Sequence, residues 1–237
     1  MNKLLGFLFL MINLHSIKAQ EINIGLEAGM NLQHLQGDSW QMNDLSASPR
    51  NIFGRYILDE RTMIGAYVNY EFIDNLAAQF ALRHYYISYD ITTTTELTNS
   101  FIGERSNPAS IYGPAYDFSL ALRYNLLDLI TLQAGAGINT YQNVGDRGYS
   151  NLEDYPELLN LNKSIEENFN TTETYLLLGP TATFGRFNVN VLFQIGLSPT
   201  INDFSLNGQP VSLDINHHRV IFNLGYDLFR FKTNKTK

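Results

Sequence analysis

The chain has 237 residues, with 15 Phe, 14 Tyr, no Cys and a formal net charge of −7. That length suits one all-β barrel or at most two small domains, and without cysteine neither a disulfide framework nor a thiolate metal site is possible. An acidic chain whose basic residues are scattered is poorly suited to nucleic acid, so no nucleic-acid partner is expected.

The chain opens with Lys3 ahead of a short apolar run from Leu4 to Ile12, followed by Ile17-Lys18-Ala19 and then Gln20-Glu21. The run is too short for a membrane span, which needs about 20 residues. A positive start, an apolar centre and a small residue at Ala19 predict a secretory signal over residues 1–19, cleaved to leave one domain over 20–237. Its removal takes Lys3 and Lys18 and no acid, moving the net charge from −7 to −9. No Cys follows the apolar run, so lipoprotein anchoring is excluded. Downstream no stretch reaches about 18 consecutive apolar residues, which predicts no transmembrane helix. An exported chain of this kind is a soluble periplasmic protein, a secreted protein or a barrel.

From Glu21 onward, apolar and polar residues alternate with period 2. In residues 22–34 one face carries Ile22, Ile24, Leu26, Ala28, Met30 and Leu32, and the other Asn23, Gly25, Glu27, Gly29, Asn31 and Gln33. The same alternation runs through 63–73 and 76–89, blurring near Tyr85-Tyr86, where a bulge is expected. It returns in 116–126, 130–138, 176–184, 187–197 and 220–228. That predicts eight strands. Pro180 lacks an N–H for the ladder and argues against a regular sixth strand.

The connections alternate in length. Asp74-Asn75, Asp128 and Gly185-Arg186 mark tight turns. Keeping the faces aligned requires about three residues at 73–75, with Asn75 at positive φ; Gly185-Arg186 suits a type II′ turn. The other connections, 37–60, 93–114, 144–170 and 198–216, are long. Short turns at one end and long loops at the other are the arrangement of outer-membrane barrels, and an even strand count returns both termini to the periplasmic side.

A soluble lipocalin-type barrel shares this periodicity. The composition of the second face separates the two. An eight-stranded barrel has room inside only for side chains. Gly25, Gly29, Gly65, Gly135, Gly137, Gly196 and Gly225, with charges between them, can fill that bore, whereas the Leu, Phe and Tyr set would overfill it. The expected fold is therefore an all-β, eight-stranded antiparallel up-and-down transmembrane β-barrel in the bacterial outer membrane, in contact with its lipid and lipopolysaccharide. Aromatic belts are expected at Phe72, Tyr124, Phe184, Phe187, Tyr226, Phe229 and Phe231 on the periplasmic side. Tyr86, Tyr89, Tyr116, Tyr141 and Tyr175 would form the outer belt.

Three segments carry a family resemblance. Ile24-Gly25-Leu26-Glu27-Ala28-Gly29-Met30-Asn31-Leu32 resembles the opening G-x-x-A-G-x-N strand of PorT-type outer-membrane β-barrel proteins of Bacteroidota. Phe193-Gln194-Ile195-Gly196-Leu197-Ser198-Pro199-Thr200-Ile201-Asn202 is similar to that family's Y-x-x-G-L-T-N-I segment, departing from it at Ser198-Pro199. Asn223-Leu224-Gly225-Tyr226-Asp227-Leu228-Phe229 resembles its closing L-G-Y-x-F strand. The resemblance implies the barrel fold and outer-membrane location. One family member serves a secretion and gliding apparatus, and the resemblance implies no reaction.

The alternation places Glu27, Glu71, Arg83, Asp117, Arg123, Glu173, Arg219 and Asp227 inside, as a salt-bridged plug or as an ion path. Glu27, Glu71, Arg123 and Asp227 are expected near one level, with Arg83 just above. None of His34, His84, His217 and His218 has a Ser two positions on, the spacing of outer-membrane lipid deacylases. His217-His218 with Asp214 could hold a metal at the rim, or simply form a polar loop end. In 144–170, Asp146, Glu153, Asp154, Glu157, Glu166 and Glu167 suit either a solvated loop or a cation or partner site. Within it, Asp154-Tyr155-Pro156 is a helix start that would present Leu158, Leu159 and Ile165. The expected function is non-enzymatic: a structural or interaction protein working through its outer loops, without cofactor. A small pore and a lipid-modifying enzyme are the alternatives.

Overall fold

A computed structural model describes residues 21–50, 62–97, 103–142 and 154–232; the expected signal segment lies outside them. In chain order the elements are β1 (Glu21–Gly37), β2 (Trp40–Met42), β3 (Leu45–Arg50), β4 (Thr62–Ile73), β5 (Leu76–Leu97), β6 (Gly103–Leu127) and β7 (Ile130–Tyr141). Helix α1 (Pro156–Glu167) follows, then β8 (Thr172–Phe184), β9 (Phe187–Pro199), β10 (Phe204–Leu206), β11 (Gln209–Val211) and β12 (Ile215–Lys232). No helix among the described residues is long and apolar enough to cross a membrane.

The eight long strands, β1, β4 to β9 and β12, are antiparallel to their neighbours, and each pairs on both sides. Following the pairings from β1 through β4, β5, β6, β7, β8 and β9 to β12 leads back to β1, where Glu21 faces Lys232. Within the ring each strand satisfies its backbone groups on two neighbours, whereas the first part of β6 pairs with β5 alone and the last part of β1 with β12 alone.

The tight turns gather at the end of the ring where Glu21 and Lys232 lie. Asn75 has φ 68°, as its position demanded. The turn itself holds two residues, Asp74 and Asn75, and the third sits in a register shift between Glu71 and Ile73. Gly185 takes φ 61° while Arg186 stays at negative φ, the signature of type II′.

Two expected irregularities are absent. β5 and β6 pair without a register shift from Leu76↔Tyr124 to Leu97↔Gly103, so no bulge lies at Tyr85-Tyr86. The alternation blurs there because the inward face changes from polar to apolar: Gln79 and Arg83 give way to Tyr85, Ile87 and Ile91, all buried. β8 likewise runs straight through Pro180. Its pairing with β9 lapses only between Leu178↔Phe193 and Thr181↔Asn190, in the same register on both sides.

The far end corrects the expectation of four long loops. Most of 93–114 is strand, carrying β5 and β6 well past the rest of the ring. The segment 37–60 contains β2 and β3, and β3 pairs with the β5 extension from Leu45↔Thr95 to Arg50↔Asp90. The segment 198–216 contains the β10–β11 hairpin, turned by Asn207 (φ 53°) and Gly208 (φ 79°). An Asn-Gly pair with both residues at positive φ makes a type I′ turn.

Helix α1 starts where Pro156 predicts, with Pro in its first turn. Its buried Leu158, Leu161 and Ile165 share one apolar cluster with Ile87, Ile91, Ala109 and Ile111 of the extended hairpin, Asn162 is buried as well, and Leu159 is only half-buried. Thr93 Oγ1 donates to Asn162 Oδ1 at 2.6 Å, tying the helix to β5. The outer face of the same sheet carries Ser46, Ser48, Thr92 and Thr94, with the Ser46 and Thr94 hydroxyls 2.5 Å apart. These segments therefore form a packed cap whose apolar core is continuous with Leu177, Leu192 and Ile221 inside the ring.

Candidate functional site

The ring has an inside-out distribution. Outward positions hold large apolar side chains: Ile64 and Leu120 are each 61% exposed and Leu122 57%. Inward positions hold charge: Glu27, Arg83, Asp117, Arg123, Glu173, Arg219 and Asp227 are all buried. Glu71 differs, being half-buried at the rim of a cavity at the tight-turn end. The register shift beside it, between Glu71 and Ile73, moves this stretch out of the regular ladder.

Asp117, from the middle of β6, is the hub. Its Oδ1 accepts from Arg83 Nη1 at 3.0 Å. Its Oδ2 accepts from Tyr175 and from Gln194 Nε2, both at 2.7 Å, and from Arg219 Nη2 at 3.4 Å. Arg83 also donates Nε to Glu27 Oε1 at 2.6 Å and Nη1 to Ser119 at 2.9 Å. The second oxygen of Glu27 accepts from Asn223 at 2.7 Å. Arg219 donates to Asn139 at 2.6 Å and lies 4.3 Å above the ring of Tyr85. Each charge of this network has an opposite charge beside it, since an ion left alone in a low-dielectric interior is uncompensated, although Arg83 Nη2, Arg219 Nη1 and Gln194 Oε1 have no hydrogen-bond partner.

Towards the tight-turn end, Asp227 accepts from Tyr67 at 2.5 Å, from Asn188 at 3.2 Å and from Arg230 Nε at 2.9 Å. Elsewhere Glu173 accepts from Tyr141, while the same oxygen lies 3.0 Å from His217 Nδ1.

Glycines make room for two of these phenols. A Cβ on Gly25 would run into the ring and hydroxyl of Tyr67, and one on Gly137 would run into the hydroxyl of Tyr175. Here the small residues of the inward face let an aromatic side chain cross the bore from a neighbouring strand.

Seven of the eight expected interior residues are thus buried, and Glu71 is the exception. Of the residues expected near one level, Glu27 engages Arg83 and Asn223, and Asp227 engages Tyr67, Asn188 and Arg230. Tyr141 and Tyr175 do not join an outer belt; they are 4% and 2% exposed and bond Glu173 and Asp117 inside. Their parity held the signal, because Tyr175 alternates with Leu176 and shares a face with Glu173. Tyr86 and Tyr112 stand exposed towards the cap, and Tyr124, Phe184, Phe187, Phe229 and Phe231 towards the tight turns.

His217 and His218 cannot share a metal. Neighbours on a strand face opposite ways; His217 is buried beside Glu173, while His218 lies opposite His34 on the outer face. Among the described residues no group of three or more His, Cys, Asp or Glu is placed to hold a metal ion. Asp146 and Glu153 of the acidic connection lie outside the described residues.

No protein-family model and no curated protein matches the chain. Among solved structures it is similar to the attachment invasion locus protein Ail of Yersinia pestis in complex with the heparin analogue sucrose octasulfate. That match has 10% identity and a TM-score of 0.39, over 90% of this chain and 99% of that one. It is also similar to the outer membrane protein OprG from Pseudomonas aeruginosa, at 11% identity and a TM-score of 0.43, over 91% and 98% of the two chains. The outer membrane protein AlkL in lipid bilayers is similar at 12% identity and a TM-score of 0.39, over 91% and 93%. These likenesses concern strand architecture in outline, and no residue's role is carried across from them.

Proposed function

We propose that the chain is a transmembrane β-barrel of the bacterial outer membrane. Its bore is plugged by the Glu27–Arg83–Asp117–Arg219 network, and it works as a structural or interaction protein of the envelope, not as an enzyme. The observation that carries this reading is the inside-out distribution: an outward belt of exposed Leu, Ile, Val and Phe around a buried charged interior. Soluble monomers rarely expose contiguous apolar patches beyond a few hundred Å². In hydrocarbon the same belt costs nothing, and closure satisfies the backbone groups that lipid cannot. The tight-turn end of the ring, where Glu21 meets Lys232, then faces the periplasm and the cap faces outward.

Lipid and lipopolysaccharide would contact the belt, and protein partners would meet the cap, whose packed core favours a rigid surface over mobile loops. The PorT-type resemblance of β1, β9 and β12 belongs to this proposal. The pore reading is disfavoured by Arg83, Asp117, Tyr85 and Tyr175, which cross the bore with at most 2% exposure each.

Spin labels at Leu120 and Val191 in reconstituted protein test the reading. Collisions with oxygen should exceed those with a water-soluble nickel chelate, and the reverse order would end the membrane assignment. Ion conductance in planar bilayers would end the plug.

A further inference from the structure

A cavity of about 510 Å³ opens at the tight-turn end of the ring. Arg123 lines it, and so do the five asparagines Asn23, Asn69, Asn75, Asn125 and Asn188. Arg123 is only 6% exposed, and its Nε has no hydrogen-bond partner. Among the described residues it forms no ion pair, whereas Arg83, Arg219 and Arg230 each do.

The acids nearest in charge to Arg123 are Asp227 and Glu27. Both are already engaged: Glu27 by Arg83 and Asn223, and Asp227 by Tyr67, Asn188 and Arg230. At the mouth, Glu21 is paired with Lys232 at 3.2 Å. Two further buried acceptors, Asn23 Oδ1 and Asn69 Oδ1, also lack partners, and these residues face each other across β1 and β4.

We propose that this cavity binds the terminal carboxylate of a short peptide segment, with Arg123 as its counter-ion. A planar guanidinium matches a carboxylate's two oxygens, and a desolvated one gains most from the pair. The asparagine amides offer donors and acceptors together, the pattern that peptide N–H and C=O groups require. Among the described residues no aromatic side chain lines the cavity, so they offer no stacking platform of the kind a sugar would use. Of the four described carboxylates that line it, Asp227 and Glu21 are paired with Arg230 and Lys232, while Glu71 and Asp128 oppose any anion and oppose a multiply charged one most. The inference stands on the cavity itself and does not depend on where the ring is located.

The test titrates the full chain in detergent micelles with acetyl-Ala-Ala, its C-terminal amide and acetate, read by ligand-observed NMR. The free acid should bind about tenfold or more tightly than the amide or acetate. Arg123→Gln should abolish the difference while keeping the β-sheet circular dichroism of the folded chain. Asn69→Asp, which keeps Arg123 and adds a negative charge to the same cavity, should weaken the acid more than the amide, and an equal loss of both would count against the proposal. Equal binding of acid and amide, unchanged binding in folded Arg123→Gln, equal binding of acetate or no binding at all would overturn the proposal.

Discussion

The hydroxyl of Tyr175 on β8 occupies the space that a side chain on Gly137 of β7 would need, and from there it donates to Asp117 at 2.7 Å. The glycine and the phenol are one device, in which an empty position on one strand lets the next strand's side chain reach the hub. Gly137→Ala is therefore expected to push Tyr175 off Asp117. The predicted loss is about 1–3 kcal/mol, the range for overpacking a filled site, read as a lower urea midpoint for unfolding in micelles. Tyr175→Phe keeps the packing and removes only the bond, and should cost no more than Gly137→Ala.

Removing Arg83 strands two carboxylates at once. Arg83→Ala leaves Glu27 without its 2.6 Å partner and Asp117 without one of its two guanidiniums. Breaking a buried pair from one side costs about 3–5 kcal/mol. Adding Glu27→Gln to Arg83→Ala should recover part of that loss, because it removes one of the stranded charges. A double-mutant cycle on thermal unfolding reads the coupling, and strict additivity would mean that the pair contributes nothing.

Arg123→Ala should behave differently from Arg83→Ala, since no ion pair with a described residue is broken. Its cost in thermal unfolding is expected to be smaller than that of Arg83→Ala, comparable to an ordinary point substitution of about 1 kcal/mol. An equal loss for both variants would place Arg123 within the bonded network.

The outer wall and the cap respond to opposite chemistry. Leu120→Arg places a charge in the exposed belt; with that belt in lipid, it should cost about 2–4 kcal/mol at mid-depth, measured by folding into vesicles. Leu158→Ala empties a fully buried position of helix α1, and a Leu→Ala cavity costs about 2–5 kcal/mol where the site cannot collapse. Because Leu158 belongs to the cap, the effect should appear as faster proteolysis of the α1 region with the ring intact. Cleavage throughout the chain would show that cap and ring unfold as one unit.

Much of the ring was legible because a strand's side-chain period is 2, so composition alone assigns each residue to a face. Glu27, Arg83, Asp117, Arg219 and Asp227 were placed inside on parity, and Asn75 and Gly185 at the turns by their tolerance of positive φ. The cap was harder to read. Residues 93–97 include a run of threonine, and 103–110 lack a large apolar alternation, so they resemble loop until β3, β6 and α1 cover them. The Asn207-Gly208 pair did mark a hairpin, obscured by the short strands on either side.

What the amino-acid order determined by itself is orientation, since parity, glycine and charge sort each strand into a greasy side and a filled side without reference to any neighbour. Which interior groups meet was settled only by the closed ring. Partners such as Glu27 and Asn223, or Asp117 and Gln194, are set by strand stagger around the circumference, and stagger depends on all eight pairings together. That Arg123 has no ion pair among the described residues has the same origin: Glu27 and Asp227 already bond other groups, a fact that no local pattern encodes.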